Sequence, residues 1–233
     1  MNSDFGFSFP NQDVVPSLAY LAIAFLVGSI PFGVIVGRLF YKTDLRQSGS
    51  GNIGAANALR SYGVVGGILV LVLDAVKGLA AADLIWPYFT YMGTAGTFFG
   101  VYVAVVMDGK GSWPQALLGF LAVLGHCYSP WLKFKGGKGV ATFLGMLFAQ
   151  SWAAGLGFVI VWLAVVAPSR YASLGSMIAS ALAPLMLWLV WHDSLASAIT
   201  ALAALLIVWK HRENIVRLRE GRENKITFGK ASA

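Results

Sequence analysis

The sequence predicts an all-α fold, a polytopic membrane protein with seven transmembrane helices, its N-terminus outside and its C-terminus cytoplasmic. Three observations carry this. Of 233 residues, 58% are hydrophobic and 12% charged, where about 25% charged is usual for a soluble chain. From Gly139 to Trp209 the only charged residues are Arg170 and Asp193, so that stretch belongs in lipid. The 17 Lys and Arg against 10 Asp and Glu give a formal net charge of +7, gathered into a few stretches instead of covering a surface. That is the pattern of basic membrane loops, and it argues against a nucleic-acid partner.

A spanning helix needs about 20 apolar residues. The first candidate covers about 17–40, with Asp4 and Asp13 before it and Arg38, Lys42 and Arg46 around its far end. The positive-inside bias puts the N-terminus outside, and the missing basic n-region argues against a cleaved signal peptide. The second covers about 62–84, and five more follow at about 112–130, 140–150, 151–167, 171–190 and 195–209. Seven crossings bring both strongest basic clusters, 133–138 and 210–230, to the cytoplasm. An eighth crossing at 88–106 would expel Lys133, Lys135 and Lys138, so that stretch reads as re-entrant or interfacial on the outer side. The run 140–150 is too short to span upright and is expected to turn at Gln150 and Ser151 in protein contact. Residues 1–233 read as a single domain, because no loop is long enough to fold alone.

Three clusters carry candidate chemistry. In the first loop, Ser50-Gly51-Asn52-Ile-Gly54 and Asn57 lead to Arg60; the glycines allow a backbone nest for an anion, and Arg60 adds a guanidinium fork suited to phosphate. The plain alternative is a flexible connector, and an ion filter is disfavoured by the arginine. In the second, Lys135-Gly136-Gly137-Lys138-Gly139 precedes a helix whose free N–H groups favour phosphate. It is no Walker A loop, since Leu132 and Gly139 stand where Gly and Ser or Thr are required. Topology accounts for Lys133 and Lys135, while Lys138 between glycines reads as a phosphate contact. Third, His211 and Asn214 share a helix face at the end of the last span; Arg217, Arg219 and Arg222 read as snorkelling stop-transfer residues. Ser173 and Ser176 stand one turn apart in another span, where serines commonly bond within the helix. Asp74 and Lys77 read as a self-neutralising pair. Cys127, the single cysteine, reads as a buried small hydrophobe and excludes a disulfide framework or a Cys-based metal site. With no paired carboxylates and no His-rich set, a metal site is not expected. A phosphate-bearing amphiphile handled at the cytoplasmic face is.

At these residues the sequence resembles the bacterial integral-membrane acyl-phosphate:glycerol-3-phosphate acyltransferases (PlsY). The resemblance rests on Gly28-Ser-Ile-Pro-Phe-Gly33, Gly49-Ser-Gly-Asn-Ile-Gly54, Lys135-Gly-Gly-Lys-Gly-Val-Ala-Thr142, Arg170-Tyr-Ala-Ser173 and His211-Arg-Glu-Asn-Ile-Val-Arg-Leu218, in the family's order along the whole chain. It implies acyl transfer from acyl-phosphate to glycerol 3-phosphate in the bacterial inner membrane, releasing lysophosphatidic acid and phosphate with no cofactor and no metal. Membrane lipid is the remaining partner, and the sequence carries no signal of oligomeric state. As catalytic residues it points to Ser50, Lys138, His211 and Asn214. The substrate-binding set adds Gly51, Asn52, Arg60, Gly136, Gly137 and Ser176. His211 is the one member whose ordinary pKa lies near neutrality, and the sequence leaves open whether it or the substrate phosphate takes the hydroxyl proton. Two departures stand out: Ala56 replaces a family threonine, and His126-Cys-Tyr-Ser-Pro130 shifts the proline of a family His-x-Phe-Pro. The segment 86–113 is longer than the family's usual external connection. Rival readings are a transporter for a phosphorylated solute and a lipid phosphotransferase using Asp44 and Glu213 for a metal.

Overall fold

The computed structural model describes residues 14–84 and 113–226. The stretch 88–106 and the long connection it belongs to lie outside them. Nine helices of the described residues frame the site: α1 Val14–Ser29, α2 Phe32–Phe40, α3 Ala55–Leu79, α4 Trp113–Cys127, α5 Val140–Gln150, α6 Trp152–Ser169, α7 Ala172–Trp191, α8 Ser194–Lys210 and α9 Arg212–Arg219. α3, with the π turn after it, and α6 and α7 are long and apolar enough to cross a membrane. Among the described residues the count rises to five if the bent pairs α1/α2 and α8/α9 each make one span.

The first apolar run is not one helix. It breaks between α1 and α2 with a bend of 41°, because Pro31 has no N–H and its ring collides with the carbonyl one turn back. The break frees the Ile30 carbonyl, which Lys77 Nζ of α3 reaches at 2.7 Å. The second run also differs from the reading, starting at Ala55 instead of Tyr62. Gly63 kinks the helix with φ 75°, a left-handed conformation glycine adopts without steric cost. The apolar run begins at this kink, and the turns before it carry Asn57 and Arg60. The later runs match the expected helices closely, α5 to the residue.

α4 packs against α1, α5 and α8; α5 lies against α3, α4 and α6; α7 sits between α6 and α8. Small residues allow these approaches, as is common between membrane helices. A Cβ on Gly28 would come within 2.2 Å of the Ala122 carbonyl, and one on Gly145 within 1.9 Å of the Ala75 carbonyl. Phe143, Met146, Leu147, Leu187 and Ile207 form the core at the α4–α5–α7–α8 junction, where Cys127 is also buried. Val65, Ile68, Val72, Ile160, Leu189 and Leu205 are exposed, while Asp74, Lys77, Asp83 and Gln115 are buried. Apolar side chains outside and charges inside are the inverse of a soluble domain and suit a lipid surround.

α5 has 11 residues, about 16 Å of helix. Thr142, Phe143, Gly145, Met146, Leu147 and Gln150 bury much of it in protein, which removes the need to span lipid upright. It turns into α6 through Ser151 alone, whose side chain caps α6 by accepting from Ala154 N–H at 3.2 Å. At the far end of α5, Gln115 donates to Asp83 at 3.1 Å and to the Ala149 carbonyl at 2.8 Å. That end is closed by polar contacts; the other opens on a cavity.

Candidate active site

The first loop is organised by Asn57, which is buried at the start of α3. Its amide donates to the carbonyls of Leu45, Ser48 and Asn52 at 2.8–3.1 Å and accepts from Ser50 N–H at 2.8 Å. Asn57 is thus a loop organiser and not a ligand group. Its hold turns Ser50 and Asn52 toward the cavity, with Asn52 closing an Asx turn onto Gly54 N–H at 2.9 Å. Asp44 binds Arg46 and Arg38, and the Arg46 guanidinium in particular holds its carboxyl well below the usual range. Those cations are occupied. Arg60 is not: its buried Nε has no hydrogen-bond partner, and it lines the cavity.

The second loop folds back over the end of α4. Gly136 and Gly137 donate to the carbonyls of Cys127 at 3.2 Å and His126 at 3.0 Å, satisfying acceptors that a helix end leaves open. The N–H groups of Gly136 and Gly137, expected at the substrate, are thus engaged with the end of α4. The Gly51 N–H is likewise engaged, donating to the Ser48 carbonyl at 3.0 Å. Neither loop leaves these three among the lining residues. The backbone that does reach the cavity wall is one step further on, where Lys138, Gly139, Val140 and Ala141 enter α5; the first N–H groups of a helix have no partner within it and suit an anion.

The third cluster meets the second through side chains. Lys138 Nζ donates to Asn214 Oδ1, and Asn214 Nδ2 donates to Glu223 at 2.6 Å. Glu223 also accepts from Ser173 Oγ and Arg217 Nε, both at 2.8 Å. Burial raises the Glu223 pKa, but the hydrogen bonds from Arg217, Ser173 and Asn214 outweigh it and hold it low. The segment carrying Glu223 is pinned by a backbone bond from Ile226 N–H to Arg170 O at 2.8 Å, returned by Arg170 Nε to Ile226 O at 3.1 Å. Arg217 is therefore a cavity residue and not the snorkelling side chain expected of it. Arg219 and Arg222 do stay exposed.

His211 follows the last residue of α8 and is buried. Its Nδ1 lies 2.8 Å from the Ile207 carbonyl, which can only accept, so the proton is on Nδ1 and Nε2 is the bare acceptor. Burial, helped by Lys138, pushes its pKa down to about 4. Burial also lowers Lys138 to about 8, with Arg217 adding to the effect. The imidazole is thus neutral near pH 7, while the ammonium remains charged.

Ser50, Asn52, Arg60, Lys138, Ser176, His211 and Asn214 all border one cavity of about 300 Å³. Ser176 accepts from Trp162 Nε1 at 3.2 Å. Arg217, Glu223, Ser173, Asp74 and His126 join them without having been singled out for the site. Away from this charged end, Leu71 of α3, Leu144 of α5 and Phe158, Val159 and Leu163 of α6 line an apolar stretch. Leu71 and Leu163 are also exposed on the outer surface, so this stretch adjoins the lipid face. Asp44 and Glu213 do not converge: Asp44 is tied to Arg38 and Arg46, and Glu213 is exposed 3.9 Å from Arg217.

The shifted Ser129-Pro130 of the second cluster also has a role. Ser129 Oγ donates to the Ser29 carbonyl at 2.7 Å, and Trp131 Nε1 donates to Ser29 Oγ at 2.8 Å. The turn thereby holds the break between α1 and α2 against the end of α4.

Residues 18–221 match the family model described as glycerol-3-phosphate acyltransferase. Among relatives, the glycerol-3-phosphate acyltransferase of Rhodopseudomonas palustris (strain HaA2) is 42% identical over 90% of this chain and 95% of its own. That of Nitrobacter winogradskyi is 42% identical over 94% of this chain and 97% of its own. Among solved structures, the integral membrane glycerol 3-phosphate acyltransferase PlsY (YgiH) in its glycerol 3-phosphate form superposes with a TM-score of 0.76. It is 37% identical over 91% of this chain and 96% of its own. Its lysophosphatidic acid form gives a TM-score of 0.74 at 36% identity, over 91% and 96% of the two chains. The order of motifs, the membrane-type surface and these matches have one reading: the chain belongs to the glycerol-3-phosphate acyltransferase family.

Proposed function

We propose that this protein transfers an acyl group from an acyl-phosphate to glycerol 3-phosphate, releasing lysophosphatidic acid and phosphate for membrane phospholipid synthesis. One observation carries the reading. A single cavity joins three cationic side chains, Arg60, Lys138 and Arg217, to an apolar stretch beside the lipid face. A phosphate-bearing head fits the first part and a fatty chain the second.

In this reading Arg60 and Lys138 pair with phosphate, as unpaired or weakly neutralised cations in a desolvated site do best. Ser50, Asn52, Ser176 and Asn214 orient the glycerol moiety or the phosphates. The glycerol hydroxyl oxygen attacks the acyl carbonyl carbon; a C–O bond forms there as the bond from that carbon to the phosphate oxygen breaks. His211 Nε2 accepts a hydrogen bond from the attacking hydroxyl. With the imidazole's pKa pushed to about 4, the departing phosphate, whose freed oxygen is a far stronger base, is the final acceptor of that proton. Much of the acceleration then comes from positioning and charge stabilisation.

The chain forms one membrane-embedded domain over residues 1–233, crossing seven times with the N-terminus outside and the motif loops and C-terminus in the cytoplasm. The seven apolar runs and the clustering of basic residues at one end support this arrangement. The test is purified protein in detergent or lipid, given acyl-phosphate and glycerol 3-phosphate with and without a chelator. Equimolar lysophosphatidic acid and phosphate are expected in both. Activity lost on chelation and restored by Mg²⁺, or a requirement for a thioester donor, overturns the reading.

A further inference from the structure

The buried cluster of Asp74, Lys77 and His126 is larger than the self-neutralising pair expected from sequence. Lys77 Nζ donates to the Ile30 carbonyl at 2.7 Å and lies 2.9 Å from His126 Nδ1 and 2.8 Å from Asp74 Oδ1. The ammonium thus hydrogen-bonds to the Ile30 carbonyl and His126 Nδ1 and forms a close ion pair with Asp74, whose Oδ1 makes no hydrogen bond among the described residues. An ammonium cannot accept a hydrogen bond, so His126 Nδ1 must be bare and the ring proton must sit on Nε2. Asp74 lies 3.6 Å from Nδ1, too far to reverse that assignment.

Nε2 faces Gly137: a Cβ built on that glycine would come within 2.2 Å of it. His126 and Asp74 both border the cavity. Leu71, one turn before Asp74 on α3, belongs to the apolar stretch, and Lys138, next to Gly137, belongs to the cationic end. His126 therefore stands at the seam between the two. In an acyl-phosphate, the atom at the junction of fatty chain and phosphate is the acyl carbonyl.

We propose that His126 is a further catalytic residue, its Nε2–H donating to the acyl carbonyl oxygen, and that Lys77 and Asp74 are positioning residues that fix its tautomer. The inference rests on the acyl-transfer reading above. As the glycerol oxygen bonds to the carbonyl carbon, the C=O electron pair moves onto the carbonyl oxygen, where the Nε2–H holds it. The pair returns as the bond to phosphate breaks, and the hydroxyl proton leaves with the phosphate. The arrangement also gives Gly137 a reason: any side chain there would cover the donor.

His126→Asn keeps an oxygen that can accept from Lys77 but removes the donor at the seam; His126→Gln can satisfy Lys77 with its oxygen and present its amide N–H in place of Nε2–H. With wild-type turnover measured alongside, His126→Asn should lower kcat about 100-fold while KM for glycerol 3-phosphate stays within about twofold. His126→Gln should recover about tenfold or more of that loss, with both variants unfolding at the wild-type temperature in detergent. Wild-type kcat retained in His126→Asn overturns the inference. So does equal loss in both variants, or a rise in KM with lowered thermal stability, which marks a structural role. A wild-type protein inactive with acyl-phosphate would instead defeat the underlying reading.

Discussion

Lys138 makes the pH dependence of this site a quantitative matter. Its ammonium sits in a half-buried position with Arg217 close by, and its pKa falls from the ordinary 10.5 to about 8. Only the charged form pairs with phosphate, so the contact is present below that pH and is lost as pH rises through it. In the free enzyme, kcat/KM for glycerol 3-phosphate should be level up to about pH 8 and fall tenfold per unit above it. A bound phosphate beside Nζ favours the charged form, so the limb in kcat should lie at higher pH than the limb in kcat/KM. Lys138→Arg keeps its charge past pH 12 but cannot reproduce the compact contact with Asn214; it should be slower overall and lack the alkaline limb. Lys138→Ala should lose about 2 kcal/mol or more of kcat/KM, about 30-fold. The assay is phosphate release from acyl-phosphate at limiting and saturating glycerol 3-phosphate, corrected for spontaneous hydrolysis. A flat wild-type profile from pH 7 to about 10, or an unchanged limb in Lys138→Arg, would refute the assignment.

Arg60→Ala should cost kcat/KM about 30-fold, with Arg60→Lys recovering only part, because a point charge cannot replace the fork now lacking a partner on Nε; steady-state kinetics decide it. His211→Ala should lower turnover, by up to about 100-fold, yet leave the profile between about pH 6 and 8 unchanged, since the imidazole titrates at about 4. A limb near neutrality present in wild type and absent in the variant would contradict this. Gly145→Ala forces a methyl to within 1.9 Å of the Ala75 carbonyl and should destabilise the protein by about 1–3 kcal/mol. Gly157→Ala meets only the flexible Met186 side chain and should unfold in detergent at nearly the wild-type temperature.

Hydropathy and local chemistry made the later helices legible, including the short α5 between Gly139 and the capping Ser151. They were blind where backbone geometry decides. Pro31 sits inside an apolar run long enough to read as one span, and Gly63 joins a polar helical extension to an apolar one. Of the side chains singled out for their specific chemistry, Arg60, Lys138, His211 and Asn214 all border the cavity. For Gly136 and Gly137, a glycine-rich loop near a helix reads as a phosphate cradle, and only the structure shows that their N–H groups cap α4. Glu223 carries no local signal, since it lies past the last helix and gains its place from Ser173, Asn214 and Arg217. His126 likewise needed Lys77, which is 49 positions away.

The single-residue link between α5 and α6 bears on how the protein is built. Eleven residues cannot enter a bilayer unaided, whereas the 18 of α6 approach the length that can. The proposed seven-crossing arrangement therefore calls for the two to enter together, as a hairpin with Ser151 at its tip. At that tip the Gln150 carbonyl accepts from Trp191 Nε1 at 3.1 Å, and Trp191 closes α7, which is synthesised later. Until α7 arrives, the tip lacks this hydrogen bond. Because α5 begins at the residues beside Lys138, the anion end of the cavity takes its final shape only after most of the chain has been made.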